Sequence, residues 1–558
     1  TDRNISEIAY LTGNKSPQNF SKYFIEAYGI SPSAYRKKLK TKRKKSIGGN
    51  ALKTKLKPNL ILQSIAVLCL CFAFGFFIKQ YFFNGGRQVK ALEINSIAVI
   101  PFENQSRAGN DFLGEGIAED ILAKLAQFGN LKVLSKTATN QFRGDEKDIQ
   151  QIGNSLRVNY ILSGNIRTNQ DKIIINTELI RVKDQHLIWS ERYVQPKNKL
   201  ISMQAEVAQS IASALNQNLQ PDIQQKLERI PTNNNEAYTA LLRGRHLMRS
   251  RTSEDLLKSK DQFLLALDLD PQFSEAYEGI ARVYHLLVNL RYAKDQAQEY
   301  SELAEKNVLN AIKYNRNNGK AYAILGNLYA DQYRWEEAIS SFEIALELNP
   351  KDPIINYWFS LRLRSVGDLE RALSYHQKAS ELDPLHPVIQ AGYIYTCGLA
   401  GAFDLADSLL RKVEPIMINS FLFYVAKGNL LMRKGAFQEA IPFCQKALEL
   451  NPDFKTSESN QFYCLGKLGK RQAVLDYIDL LDKTQGIDCL RAAVAFMGIE
   501  EEETALDYLE KAASLGVIDD DLIAEPIFAR LRTYPTYQNI LEQYQLSPFV
   551  ETMEMELN

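Results

Sequence analysis

Asn349-Pro350 and Asp383-Pro384 stand 34 residues apart, and Asn451-Pro452 follows 68 residues later, twice that interval. Punctuation at a fixed interval of this length points to stacked helix hairpins, each too small to bury its own apolar face. The clearest unit, Gly319–Pro350, carries Leu325, Gly326 and Tyr329 on its first helix and Ala338, Phe342 and Ala345 on its second. Small Gly326 and Ala338 permit close helix crossing, the aromatic residues fill the remaining gap, and Pro350 stops the second helix. Gly428, Ala440, Ala447 and Pro452 repeat the pattern, and weaker copies contain Ala372 and Ala379, Ala406, and Ala505 and Ala512. An early unit ends at Leu267-Asp-Leu-Asp-Pro271, and the next is longer by about three helical turns. About seven or eight hairpins are expected over residues 232–517. Residues 518–558 read as one or two capping helices, with Phe528-Ala-Arg-Leu-Arg packing back on the array.

These units resemble tetratricopeptide repeats, which implies an α-solenoid with a concave groove lined by first helices. Lys320, Asn327, Tyr357, Arg364, Asn429 and Arg433 are expected to face that groove. A polar, partly basic groove suits a peptide carboxylate, although the same residues also fit a merely solvated surface. Tyr322, Tyr329, Trp335 and Trp358 read as core.

The second constraint is the uncharged run 59–78 (NLILQSIAVLCLCFAFGFFI), closed by Lys79. At 1.5 Å per residue it reaches about 30 Å, the thickness of a bilayer's hydrocarbon core. Buried helices of water-soluble domains rarely stay apolar on all faces for so long, so a single transmembrane helix is expected within 59–83. Residues 1–57 hold 14 Lys or Arg against Asp2, Glu7 and Glu26, a surplus of 11 in a chain whose net charge is +1. Lys and Arg near a span are retained inside, which predicts a cytoplasmic head and an extracytoplasmic segment 84–558 on a bacterial inner membrane. The basic linker 46–58 suits anionic lipid headgroups, with non-specific DNA contact as an added effect.

In the head, residues 1–45, Ile5, Ile8, Ala9 and Leu11 recur at helical spacing and Thr12-Gly13 ends the helix. Ser16-Pro17 then opens a second helix, Ser16 as N-cap and Pro17 at the first helical position. Phe20, Phe24 and Ala27 point inward, leaving Gln18, Asn19 and Lys22 outward near the helix start. Gln and Asn can bond adenine bidentately, and Lys can reach guanine or phosphate. On spacing alone, an ordinary helical hairpin fits equally well. The run ISEIAYLTGNKSPQNFSKYFIEAYGISPSAYRKK, residues 5–38, resembles the second helix-turn-helix of AraC-type transcriptional regulators. The resemblance implies double-stranded DNA as partner, Gln18, Asn19 and Lys22 as base readers, and Ser16 and Arg36 nearer phosphates. The family has Phe where this chain has Asn14, which removes an apolar contact. It also uses two such motifs, so either residues precede Thr1 or binding needs a partner subunit, with a dimer expected.

Between span and repeats, residues 94–220 read as βαβαβββα, an α/β domain with a mixed sheet. Ser96–Pro101 is a strand ended by Pro, and Phe112–Phe128 a helix with Ile117, Ile121, Leu122 and Leu125 on one face. Ile173, Ile175, Thr177 and Leu179 alternate with Ile174, Asn176, Glu178 and Ile180, a sheet covered well on one side. Gly114-Glu-Gly116 is no phosphate loop, since no GxxxxGK[ST] follows. Asp111, Glu115, Glu119 and Asp120 read as favourable charges near a helix N-terminus. The motifs SIAVIPFEN (96–104), FLGEGIAEDILAKL (112–125), LKVLSKTATNQFRG (131–144) and VNYILSGNIR (158–167) resemble the TolB N-terminal-like domain, which implies a non-catalytic docking module.

The whole is thus a multidomain, mostly α chain: helix-turn-helix, one transmembrane helix, α/β domain and solenoid. Cys397, Cys444, Cys464 and Cys489 lack CxxC spacing, and His186, His246, His285, His376 and His386 are scattered. No catalytic group, metal site or cofactor is expected. The reading is a membrane-bound one-component transcriptional regulator whose extracytoplasmic part senses a signal or binds protein partners. The alternative is an envelope scaffold with a vestigial DNA-binding head.

Overall fold

The computed structural model describes 95–105, 111–128, 131–134, 148–169, 172–196, 199–215 and 230–550 apart from Asp520, with Ile25, Ser31, Thr139, Gln224 and Leu227 outside these ranges. The expected helix-turn-helix, with Ser16, Gln18, Asn19, Lys22 and Arg36, and the apolar run 59–78 lie outside the described residues. Among the described residues, no helix is long and apolar enough to cross a membrane.

The α/β part contains β1 (Asn95–Val99), β2 (Glu103–Asn104), α1 (Asp111–Leu125), β3 (Leu131–Val133) and α2 (Ile149–Leu156). It continues with β4 (Tyr160–Thr168), β5 (Lys172–Arg181), β6 (His186–Pro196) and α3 (Leu200–Ala214). Strand order is β3-β1-β4-β5-β6, with the short β2 paired to β4. Pairings of β1 with β3 and β4 are parallel, and β4-β5-β6 is an antiparallel meander, so the sheet is mixed. The alternation in β5 holds: Ile173, Ile175, Thr177 and Leu179 are buried and their neighbours are not. Helices α1 and α3 cover that face through Ile117, Ile121, Leu125, Val207 and Ile211.

Among the described residues, sixteen helices then form eight hairpins, residues 235–514. They are α4 (Asn235–Leu247) with α5 (Ser253–Leu269), α6 (Ser274–Asn289) with α7 (Ala297–Tyr314), and α8 (Gly319–Asp331) with α9 (Trp335–Leu348). Next come α10 (Pro353–Ser365) with α11 (Leu369–Leu382), and α12 (Pro387–Leu399) with α13 (Phe403–Met417). The last are α14 (Phe421–Arg433) with α15 (Phe437–Leu450), α16 (Thr456–Lys467) with α17 (Arg471–Asp479), and α18 (Gly486–Gly498) with α19 (Glu502–Ser514). The second hairpin is the lengthened one: its helices have 16 and 18 residues, and a 3-10 turn (Lys294–Gln296) precedes α7. Local chemistry sets the starts: Asn318 caps α8, and Asp352 caps α10 with Pro353 behind it. The small residues at the repeat positions (Ala338, Ala345, Ala372, Ala379, Ala406, Ala440, Ala447, Ala505 and Ala512) are all fully buried.

The α/β part and the first two hairpins share one hydrophobic core, in which Ile121 and Val207 meet Tyr238, Leu241 and Phe263. Gly116 allows this. A Cβ there would sit 2.8 Å from the Leu242 side chain, so only glycine lets α4 approach α1 this closely. At the other end, a 3-10 segment (Pro526–Thr533) and α20 (Pro535–Gln543) fold back on the array. Phe528 and Leu531 are fully buried there, in one cluster with Trp335 and Val366 from the third and fourth hairpins.

Candidate protein-interaction groove

Helices α10, α12 and α14 are successive first helices, and each presents a polar side chain to one inner surface. Arg364 on α10 donates from Nε to Asp521 Oδ1 at 2.5 Å, and its guanidinium lies 4.7 Å from the Tyr395 ring centroid. Arg433 on α14 donates from Nη2 to Glu525 Oε2 at 2.5 Å and lies 4.1 Å from the same ring. One tyrosine on α12 therefore sits beside two guanidiniums, and both guanidiniums hold carboxylates of a single strap, residues 521–525. Tyr395 Oη also donates to Glu525 Oε2 at 3.4 Å.

Burial pulls both guanidiniums down, but Asp521 and Glu525 more than offset it and leave Arg364 and Arg433 above their ordinary range. Burial drives the Tyr395 hydroxyl well above the usual value for tyrosine, so it stays a neutral donor. The strap is secured from behind: Tyr537 Oη donates to the Leu522 carbonyl at 2.8 Å, and Arg532 donates to the Ile523 carbonyl. Farther on, Trp335 Nε1 donates to the Tyr544 carbonyl at 2.9 Å, tying the tail to the third hairpin.

The other groove residues expected from sequence are placed differently. Asn327 is buried and accepts from Arg362 Nε at 3.2 Å, and Arg362 also lies 4.0 Å from Asp331. His285 completes that set, 3.0 Å from Asp331. Burial pushes the Asp331 carboxyl up, but His285 and Arg362 outweigh it and hold it low. Asn429 is buried and accepts from Asn460 Nδ2 at 2.6 Å, which joins two hairpins. Tyr357 meets His376 edge-on at 5.3 Å, with its hydroxyl raised by burial. Lys320 is exposed at the start of α8 and lines a separate cavity beside Arg282 and Arg245. Structure thus brings Arg364 and Arg433 together, and it adds Tyr395, Asp521 and Glu525. Asp521 and Glu525 lie 88 and 92 residues beyond Arg433 in the chain, and no local pattern marks them as its neighbours.

The charges expected to favour the start of α1 also need correction. Glu115 and Asp120 are not simply dipole partners at a helix start. Arg249 donates to Glu115, with His246 Nδ1 3.3 Å away, and Tyr238 donates to Asp120, with Arg245 at 3.5 Å. Glu119 accepts from Arg249 Nη2 at 3.4 Å. These carboxylates dock the first hairpin onto α1, while the side chain of Asp111 lies outside the described residues. Among the described residues, no group of three or more His, Cys, Asp or Glu could hold a metal ion.

Comparison with known proteins bears on the same segments. Residues 93–213, whose sequence resembles the TolB N-terminal-like domain, match the family model described as HilA/YgeH-like transcriptional regulator, second domain. Residues 319–352 and 422–454, the third and sixth hairpins, match tetratricopeptide repeat models. A putative adenylate cyclase 3 of Rhizobium meliloti (strain 1021) is 27% identical over 187 residues, 33% of this chain and 32% of that protein. The transcriptional regulator HilA of Salmonella typhimurium is 25% identical over 345 residues, 60% of this chain and 61% of that protein. The chain therefore spans less than two thirds of either relative. TolB from Acinetobacter baumannii is 20% identical with a TM-score of 0.18, covering 22% of this chain and 28% of that one, too distant a likeness to argue from. What the comparisons establish is a body in which a segment similar to the second domain of HilA/YgeH-like transcriptional regulators is followed by tetratricopeptide repeats.

Proposed function

We propose that this chain is a membrane-bound, one-component transcriptional regulator. A cytoplasmic AraC-type head reads double-stranded DNA through Gln18, Asn19 and Lys22, with Ser16 and Arg36 on phosphates. A single helix within 59–83 crosses the inner membrane, and the α/β–repeat body on the far side receives a signal or a protein partner. The observation that carries the reading is the match of residues 93–213 to a domain of transcriptional regulators, in a chain whose residues 5–38 resemble a regulator's helix-turn-helix. The head works as a dimer, because one helix-turn-helix contacts too few bases for tight specific binding.

The partner reading is constrained by the strap. An acidic peptide can reach Arg364 and Arg433 only by displacing Asp521 and Glu525.

The test is a footprint of the full chain on promoter DNA beside the Gln18→Ala/Lys22→Ala variant. Loss of one to two contacts per half-site predicts weakening by about 1–3 kcal/mol per base contact. Unchanged sequence-specific protection in the variant would remove the assignment of the head. Protease added to intact cells checks the topology, with cleavage expected in the repeats.

The scaffold reading draws on one observation, Asn14 in place of the family's Phe. It predicts no protected site at any promoter while envelope partners are still retained.

A further inference from the structure

A cavity of about 250 Å³ opens where α1 meets the first hairpins. That volume equals about eight waters, too small for a folded peptide and suited to a small ligand. Its walls include Arg245 and Arg249, which are engaged by the carboxylates of α1 as described above. Three further cations reach the same space from three separate elements: Arg251 in the turn after α4, Arg282 on α6 and Lys320 on α8. None of these three forms an ion pair among the described residues. Arg251 is directed by a left-handed backbone, φ 55°, which is unusual for a residue with a side chain. Arg282 rests one face over the Trp358 ring, 5.9 Å from its centroid, which leaves its edge donors for a ligand. Glu278, itself buried, also faces the cavity and interacts with both Arg245 and Arg282.

Crowded cations of this kind are costly, and the lining carboxylates Glu119, Glu275 and Glu278 are fewer than the five cations. Burial lowers Arg282 from its usual range and the charge of Arg251 adds to this, while Glu278, Glu119 and Asp352 oppose it without cancelling it. A multivalent anion relieves that crowding by engaging several cations at once, and a guanidinium edge matches the oxygens of phosphate in pairs. Glu278 would repel a ligand that was anionic throughout but would accept from a hydroxyl.

We propose that this cavity binds a small phosphate monoester with a hydroxylated body, its phosphate held by Arg251, Arg282 and Lys320 and its hydroxyls facing Glu278. The proposal does not depend on the DNA-binding reading, and its test contains no DNA. It does place a ligand at the joint between the α/β part and the repeats, where occupancy bears on how the two are held.

The test is titration calorimetry on the full chain with ribose 5-phosphate, inorganic phosphate and succinate as probes. Residues 36–57 are basic and attract any anion in a salt-sensitive way, so the variants decide the outcome rather than binding alone. Saturable binding of ribose 5-phosphate is expected, tighter than inorganic phosphate and much tighter than succinate. Arg282→Gln should weaken it at least tenfold. Lys320→Gln, at an exposed side chain that folding does not need, should weaken it severalfold. Affinity unchanged from the parent chain in Lys320→Gln and Arg282→Gln, absence of saturable binding, or preference for succinate would each overturn the proposal. Should Arg282→Gln fail to fold, Arg251→Gln together with Lys320→Gln decides by the same criterion.

Discussion

Arg433 and Glu525, 92 residues apart in sequence, are joined at 2.5 Å with both side chains at most 5% exposed. An ion pair so far from water is strongly coupled to its surroundings, because a lone charge left there has no solvent to stabilise it. Among the described residues, Arg433 Nε and Nη1 and Glu525 Oε1 lack hydrogen-bond partners, so the pair has little to fall back on. Glu525→Ala should therefore cost about 3–5 kcal/mol of stability. Combining it with Arg433→Met should restore much of the loss. Urea denaturation of the two single variants and the double variant closes the cycle, and additive losses would show that the pair is not coupled.

Positive-φ residues recur at Tyr333, Gly367, Gly401, Gly435 and Gly469, in register with the 34-residue repeat. Gly401 shows the requirement most simply: φ is 68° and a Cβ added there would meet nothing within 4 Å, so only the backbone conformation matters. Gly401→Ala should destabilise by about 1–2 kcal/mol. Tyr333→Gly should relieve similar strain but forfeit the ring's edge contact with Tyr544 at 4.6 Å. A net loss is expected, since aromatic pairs of this kind contribute about 0.5–1.5 kcal/mol beyond the area they bury. Thermal melts of the two variants, compared with the parent chain, check both.

His376 is fully buried, and the hydroxyls of Ser360 and Thr396 both lie 3.1 Å from its Nδ1. Each hydroxyl already donates to a backbone carbonyl, of Tyr357 and Gly392 respectively, so Nδ1 carries the proton and Nε2 remains a bare, unpartnered acceptor. Burial first, and Arg364 second, hold its pKa well below 6.5. The unfolded chain then binds the proton more readily than the folded one. Stability from this group is full above about pH 6.5 and falls as the solution is acidified, by at most about 1.4 kcal/mol per pH unit. Denaturation midpoints at pH 7.5 and 5.5 should show the decline, and His376→Gln should lessen it, leaving the part contributed by His386, which burial also holds low.

Gly116→Ala pushes a methyl group into Leu242 at the junction of α1 and α4. Overpacking of this sort costs about 1–3 kcal/mol. The loss should appear as faster proteolysis at the joint, while the distant strap contacts of Arg364 persist. Wild-type resistance at the joint would show that α4 can shift aside at little cost.

The repeats were legible because their punctuation is local: Asn or Asp followed by Pro, with alanines at fixed offsets, dictates hairpins before any tertiary contact forms. The strand alternation in β5 was legible for the same reason. Ion pairs that join distant elements were not. Glu115 and Asp120 look alike whether they face water or the guanidiniums of a helix more than a hundred residues away. Asp521 likewise carries no local sign of Arg364. The glycines at 367, 401, 435 and 469 were a readable signal for the turns of the fourth to seventh hairpins, stronger than the prolines that first revealed the period.

The bond from the Trp335 indole to the Tyr544 carbonyl has a bearing on biosynthesis. A stacked array ordinarily matures behind the ribosome unit by unit, but here the third hairpin waits for a residue made more than two hundred codons later. Nascent chains ending before residue 519 would leave Trp335, Val366 and Tyr477 without their cover. Premature termination near the 3′ end of the message should therefore yield not a slightly shorter protein but one with an adhesive flank, a target for chaperones and degradation.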